Sequence, residues 1–199
     1  MFFSYLLAVY VKVVFLSPFL FAIYVHDVIV SLQDKRLGCL VGGSYIGCLM
    51  FADDLVLLSA SLTVLQQMVN VCEQEMIYLD MKFNTAKSMV LRIGKSRNKA
   101  CDNILLCGVS LQFVSTVKYL SVYVESANVF ELNLHESQSK YFRSTKYGIF
   151  YKCRGNMCET VMMHFFSSYC KPILLYAVDS VHLSNSNLRS LSHNWHAIY

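Results

Sequence analysis

The chain has 199 residues, enough for one domain or one and a half small ones. Apolar residues make up 55% and charged residues 15%, a balance that excludes global disorder and supplies more core-forming side chains than an average soluble domain holds. The net charge of +4 permits a nucleic-acid partner without requiring one, and the eight cysteines, mostly within apolar stretches and with no Cys-x-x-Cys pair, are expected as reduced, buried thiols of an intracellular protein, nuclear or cytoplasmic.

From Met1 to Val25 the only charge is Lys12. That length could span a bilayer or serve as a secretory leader. Pro18 interrupts the run, Lys12 sits in its middle, no basic cluster precedes it and no small-residue cleavage site follows it, so no stable membrane partner is expected. Leu16 to Asp27 reads as the start of a helix that is buried or lipid-facing, with Ser17 as N-cap and Pro18 in the first turn. Gly38, Gly42, Gly43 and Gly47 mark turns in the next stretch.

Ile46 to Ser59 carries two apolar runs separated by Asp53-Asp54, a pattern that predicts a buried hairpin with two carboxylates at its tip. Their charge would be met by water, a cation or a metal. Asp is also a common turn residue, so the pair taken alone reads more readily as a polar turn with no further role. Leu62, Leu65, Val69, Cys72, Met76 and Leu79 then recur at helical spacing, with Ser61 as N-cap and Gln66, Gln67, Asn70, Glu73 and Gln74 on the opposite face. This predicts a surface helix packed on a core.

Met81 to Gly94 reads as strand, turn, strand; Asn103 to Cys107 and Leu111 to Phe113 read as short strands around Gly108, and Val117 to Val124 as a single strand. Lys87, Arg92, Lys95, Arg97 and Lys99 form a basic segment with no acid before Asp102. The chain becomes helical from about Leu132, and the apolar segment from Val161 to Val178 is expected to break at Pro172. Lys140, Arg143, Lys146, Lys152 and Arg154 are interleaved with aromatic residues, a pattern that suits nucleic-acid phosphates and bases; the competing reading is a solvated helix with its rings in the core. Cys153, Cys158, His164 and Cys170 lack the short spacings of a zinc site.

Five motifs follow one another in order: Leu16-Ser17-Pro18-Phe19-Leu20-Phe21, Phe51-Ala52-Asp53-Asp54, Met81 to Ser88, Val117-Lys118-Tyr119-Leu120, and Tyr169-Cys170-Lys171-Pro172-Ile173-Leu174-Leu175-Tyr176. In that order the chain resembles the reverse transcriptase domain of non-LTR (LINE-type) retrotransposons. The resemblance implies an α+β right-hand polymerase palm, an antiparallel sheet backed by helices, over residues 16–124. It further implies a helical thumb over 125–199, no fingers, and an apolar leader unlike the family over 1–15. Phe51-Ala52-Asp53-Asp54 then corresponds to the catalytic hairpin, whose carboxylates hold Mg2+ for attack by a primer 3′-hydroxyl. Lys87, with Phe51 and Ala52, would lie near the incoming deoxynucleoside triphosphate, and Lys118, Tyr119 and Leu120 correspond to the primer grip. The basic stretch from Lys140 to Arg154 would meet RNA template and DNA primer.

Where the family has a third catalytic aspartate before the Ser-Pro motif, this chain has no acid ahead of Asp27, and the Gly expected after Lys-Tyr-Leu is Ser121. The resulting expectation is a reverse transcriptase portion inactive by itself. The alternatives are a catalytically dead nucleic-acid-binding module and a protein anchored in a membrane through residues 1–25.

Overall fold

The computed structural model describes residues 5–10, 22–145, 158–176, 178, 187–189 and 191–192. They fall into two compact units, Met1–Glu131 and Leu132–Tyr199. Helices and small, largely antiparallel sheets make this an α+β fold.

In the first unit the strands are β1 (Tyr5–Tyr10), β2 (Leu40–Val41), β3 (Ser44–Tyr45), β4 (Cys48–Phe51), β5 (Asp54–Ser59), β6 (Met89–Arg92), β7 (Leu105–Leu106), β8 (Val109–Ser110), β9 (Gln112–Val114), β10 (Thr116–Tyr119) and β11 (Val122–Glu125). The helices are α1 (His26–Asp34) and α2 (Leu62–Tyr78). Five strands form the main sheet in the order β4-β5-β1-β6-β9; β9 joins β6 in parallel and the other pairings are antiparallel.

The hairpin predicted over Ile46 to Ser59 forms as β4 and β5. In β5, Leu55, Val56, Leu57 and Leu58 are buried one after another, the pattern of a strand covered on both faces. Leu55, Leu57 and Val90 share a core with Leu65, Met68, Val69, Cys72 and Met76 of α2 and with Val28 and Leu32 of α1. The apolar stripe read from the sequence is therefore the buried face of α2, and burying each such side chain contributes roughly 1.5–3 kcal/mol. Ser61 stands at the N-cap position, but its side chain makes no capping bond. Ser59 organises this turn instead: its hydroxyl accepts the Ser61 N–H at 3.1 Å and donates to the Ser61 carbonyl at 2.8 Å.

Several elements differ from expectation. The apolar leader contributes β1, which pairs with β5 along Tyr5–Tyr10 and with β6 along Tyr5–Ala8. A short apolar run has the same composition as a central strand, and the ladder partners decide its role. Ser17 and Pro18 lie outside the described residues. Where the expected helix was to end at Asp27, the structure has a turn at Val25 and a helix, α1, that starts at His26 and runs to Asp34, with Asp27 in its first turn. The first arm of the Met81–Gly94 strand pair is not a ladder strand; Phe83 makes only an isolated bridge before β6.

Val117 to Val124 is not one strand. It folds back as β10 and β11, with Tyr119 opposite Val122. Leu120 and Ser121 make the turn at φ 45° and 66°, left-handed values that glycine adopts without steric cost.

In the second unit α3 spans His135–Arg143 and α4 spans Glu159–Phe165; a wider π-helical segment, Phe166–Cys170, joins α4 to α5 (Lys171–Leu175). Pro172 thus stands in the first turn of α5 and does not interrupt the helical run. A missing N–H is least costly at a first helical turn, and a π segment is where a local mismatch is absorbed. Tyr141, Phe166, Cys170, Leu174 and Leu191 form this unit's core.

Candidate functional site

The acidic tip follows from the hairpin register. Phe51 and Asp54 close the β4–β5 ladder, leaving Ala52 and Asp53 as a two-residue turn. Such turns need positive φ at their first position, and Ala52 adopts it at 48°. Asp53 is exposed on the turn, beside exposed Phe51, whereas Asp54 is half-buried as the first residue of β5. Burial pushes the Asp54 carboxyl above the usual carboxylate range; the neighbouring charge of Asp53 adds to the rise, and the ammonium of Lys87 opposes it.

Lys87 reaches this neighbourhood through a turn built on Asn84. The Asn84 carbonyl accepts the backbone N–H groups of Lys87 and Ser88, each at 3.1 Å, and the Ser88 hydroxyl at 2.8 Å. The Asn84 side-chain oxygen also accepts the Lys87 N–H, at 3.3 Å. These bonds fix the backbone that carries Lys87, so Asn84 is a positioning residue that the charge pattern did not single out.

Tyr119 joins the same group from β10. Its phenol is pushed above its ordinary range by burial first and by the Asp54 charge next. Three motifs separated in sequence are thus coupled through Asp54: the charges of Asp53 and Lys87 act on it, and its own charge acts on Tyr119. Lys118 and Leu120 flank Tyr119 on the same hairpin. Lys118 is exposed, and its ammonium lies 5.9 Å from the centroid of the Tyr123 ring, its ladder partner. Leu120 is held in the strained turn.

The basic candidates of the second unit divide. Lys140 and Arg143 lie in the last turn of α3, where positive charge also suits the helix dipole. Tyr141 between them is fully buried against Phe166, with ring centroids 6.0 Å apart, so its ring is core and not a base-stacking surface. Phe142 is partly exposed. Lys146, Lys152 and Arg154 lie outside the described residues.

The fit of a magnesium centre turns on the donor set. A two-ion site needs oxygen ligands enough to clamp both ions, and Asp53 and Asp54 are two carboxylates on one turn. The strand flanking them is β1, Tyr5-Leu6-Leu7-Ala8-Val9-Tyr10, which carries no acid and sets Tyr10 opposite Asp54. Among the described residues no group of three or more His, Cys, Asp or Glu side chains is placed to hold a metal. The described residues offer two adjacent carboxylates, which suit one hydrated ion and do not by themselves make up a two-ion centre. Also among the described residues, no helix is long and apolar enough to cross a membrane.

A family model described as reverse transcriptase (RNA-dependent DNA polymerase) matches residues 14–124, more than half of the chain. No curated protein matches it.

Proposed function

The chain belongs to the reverse transcriptase (RNA-dependent DNA polymerase) family, and from that membership we propose that it is the palm and thumb-like portion of a non-LTR, LINE-type enzyme which binds template and primer but does not polymerise alone. In this reading residues 16–124 are a partial palm, 125–199 a thumb-like region, and 1–15 an addition unlike the family that nonetheless supplies the strand beside the acidic hairpin. The observation that carries it is the two-residue turn that sets Asp53 and Asp54 together at the tip of the β4–β5 hairpin, with Lys87 and Tyr119 from separate motifs coupled electrostatically to Asp54.

Roles follow from chemistry. The two carboxylates attract a magnesium ion that still carries most of its water and can share it with a substrate phosphate. Lys87 offers a positive charge to the phosphates of a deoxynucleoside triphosphate, with Phe51 and Ala52 shaping the turn beneath it. Tyr119 and Lys118, at the end of a rigid hairpin, offer a phenol and an ammonium to the primer strand. Lys140, Arg143, Lys146, Lys152 and Arg154 are assigned to the backbone of an RNA–DNA duplex.

The reading is tested by binding to an RNA–DNA duplex across a salt series. Affinity is expected to fall steeply with salt, and the Arg143→Gln/Lys146→Gln/Lys152→Gln variant is expected to show a shallower slope. Unchanged affinity and slope in that variant would remove the thumb-like assignment.

A further inference from the structure

The basic segment Lys87 to Lys99 does not form one patch. It is divided by β6, whose register with β1 fixes the separation of its ends. Tyr10 pairs with Asp54 at one end of β1, while Tyr5 pairs with Arg92 at the other. Five residues along a strand span roughly 17 Å. Lys87 stays with the acidic pair, and the segment from Gly94 to Cys101 emerges at the opposite end of the sheet.

That segment is held in shape. The guanidinium of Arg92 donates to the carbonyls of Ser96, at 2.7 Å, and Lys99, and approaches the Cys101 sulfur at 3.2 Å. It also stands 5.9 Å from the centroid of the Phe113 ring. Two turns close within the segment, from the Arg97 N–H to the Gly94 carbonyl and from the Lys99 N–H to the Ser96 carbonyl, each at 3.1 Å. It is tied outward by the Gly94 N–H to the Ala127 carbonyl at 2.8 Å and by Arg97 to the Asn128 side-chain oxygen. Lys95 and Lys99 remain exposed on this framework, and no acid occurs between Met81 and Cys101.

We propose that this pinned loop is a second phosphate-contact site for nucleic acid, with Lys95 and Lys99 as the contacting groups and Arg92 as the positioning residue that preforms it. The proposal rests on the nucleic-acid reading above and adds to it a site outside reach of the acidic pair. A flexible lysine pair would lose side-chain and backbone freedom on meeting phosphates, whereas a preformed loop has already met the backbone part of that cost.

The test measures binding of the full chain to a labelled RNA–DNA duplex by anisotropy over a salt series. Each lost phosphate contact lowers the slope of log affinity against log salt by about 0.7 to 0.9. Lys95→Gln/Lys99→Gln is expected to lower it by about 1.4 to 1.8, with its thermal midpoint unchanged. Arg92→Gln is expected to lower the slope although both lysines remain. If Arg92→Gln fails to fold by circular dichroism, the lysine variant decides. An unchanged slope in the lysine variant, with binding by the unaltered chain intact, overturns this proposal alone. Absence of duplex binding by the unaltered chain overturns it together with the nucleic-acid reading. Loss of polyglutamate binding, with duplex binding untouched, reassigns the loop to an acidic protein partner and also overturns it.

Discussion

Tyr10 faces Asp54 as the last pair of the β1–β5 ladder. The strand beside the acidic hairpin thus ends in tyrosine at the register position opposite Asp54, and no residue of β1 is an acid. Among the described residues, Asp53 and Asp54 are therefore not joined by a carboxylate from β1.

Placing an acid there should change metal binding. Directly opposed residues in an antiparallel pair share a face of the sheet, so Tyr10→Asp brings a third carboxylate to Asp54. Manganese binding followed by electron paramagnetic resonance is expected to tighten at least tenfold, while the metal-free variant loses about 1 kcal/mol or less to like-charge repulsion. Equal manganese affinity in both proteins would show that the β1 end does not address the acidic pair.

Stability should depend on the ionisation of Asp54. Its folded pKa lies above the unfolded value, so the folded chain holds the extra proton between the two. The contribution is complete below the unfolded value and is lost as pH rises through the folded one. Urea midpoints are therefore expected to fall through that window. Asp54→Asn should flatten the fall and be the more stable protein above it, and Lys87→Gln should steepen it by removing the opposing charge. A rise in midpoint over the same window would mean that Asp54 is stabilised as the anion.

The β10–β11 turn should accept glycine with a gain. Ser121 sits at φ 66°, next to Leu120 at 45°. A residue with a Cβ costs roughly 1–2 kcal/mol in that region, part of which glycine gives back through unfolded-state entropy. Ser121→Gly is expected to add about 0.5–1 kcal/mol, read as a rise of about 1–4 °C in thermal midpoint. A lower midpoint would contradict the turn geometry.

Neighbouring rings in the basic helix should separate cleanly. Tyr141 is fully buried, and Tyr141→Ala is expected to cost about 3–5 kcal/mol. Phe142 is 40% exposed and meets Tyr141 edge to face, so Phe142→Ala is expected to cost about 1 kcal/mol or less. Chemical denaturation of the two variants measures the difference, and equal losses would contradict the assigned core.

The acidic hairpin and α2 were legible in the sequence because each depends on local periodicity: two apolar runs around Asp53-Asp54, and a stripe from Leu62 to Leu79. The role of β1 was not, since a contiguous apolar run reads alike as leader, buried helix or central strand until its partners are known. The β10–β11 hairpin was hidden because Leu120-Ser121 lacks the Asn or Gly that marks such turns, whereas Cys107-Gly108, at φ 50° and 75°, announced one through its glycine. The charge of Asp54 acting on Tyr119, and Arg92 bonded within its own loop, depend on the placement of segments that no spacing rule encodes. Charge alone placed Arg92 in a basic segment; its hydrogen bonds make it a structural clamp.

The most direct test of the account is primer extension by the isolated chain on an RNA template, with magnesium and all four deoxynucleoside triphosphates. The incomplete carboxylate set predicts duplex binding without extension. Robust extension that disappears in Asp53→Asn would contradict it, showing that Asp53 and Asp54 suffice or that this chain recruits a third ligand from elsewhere.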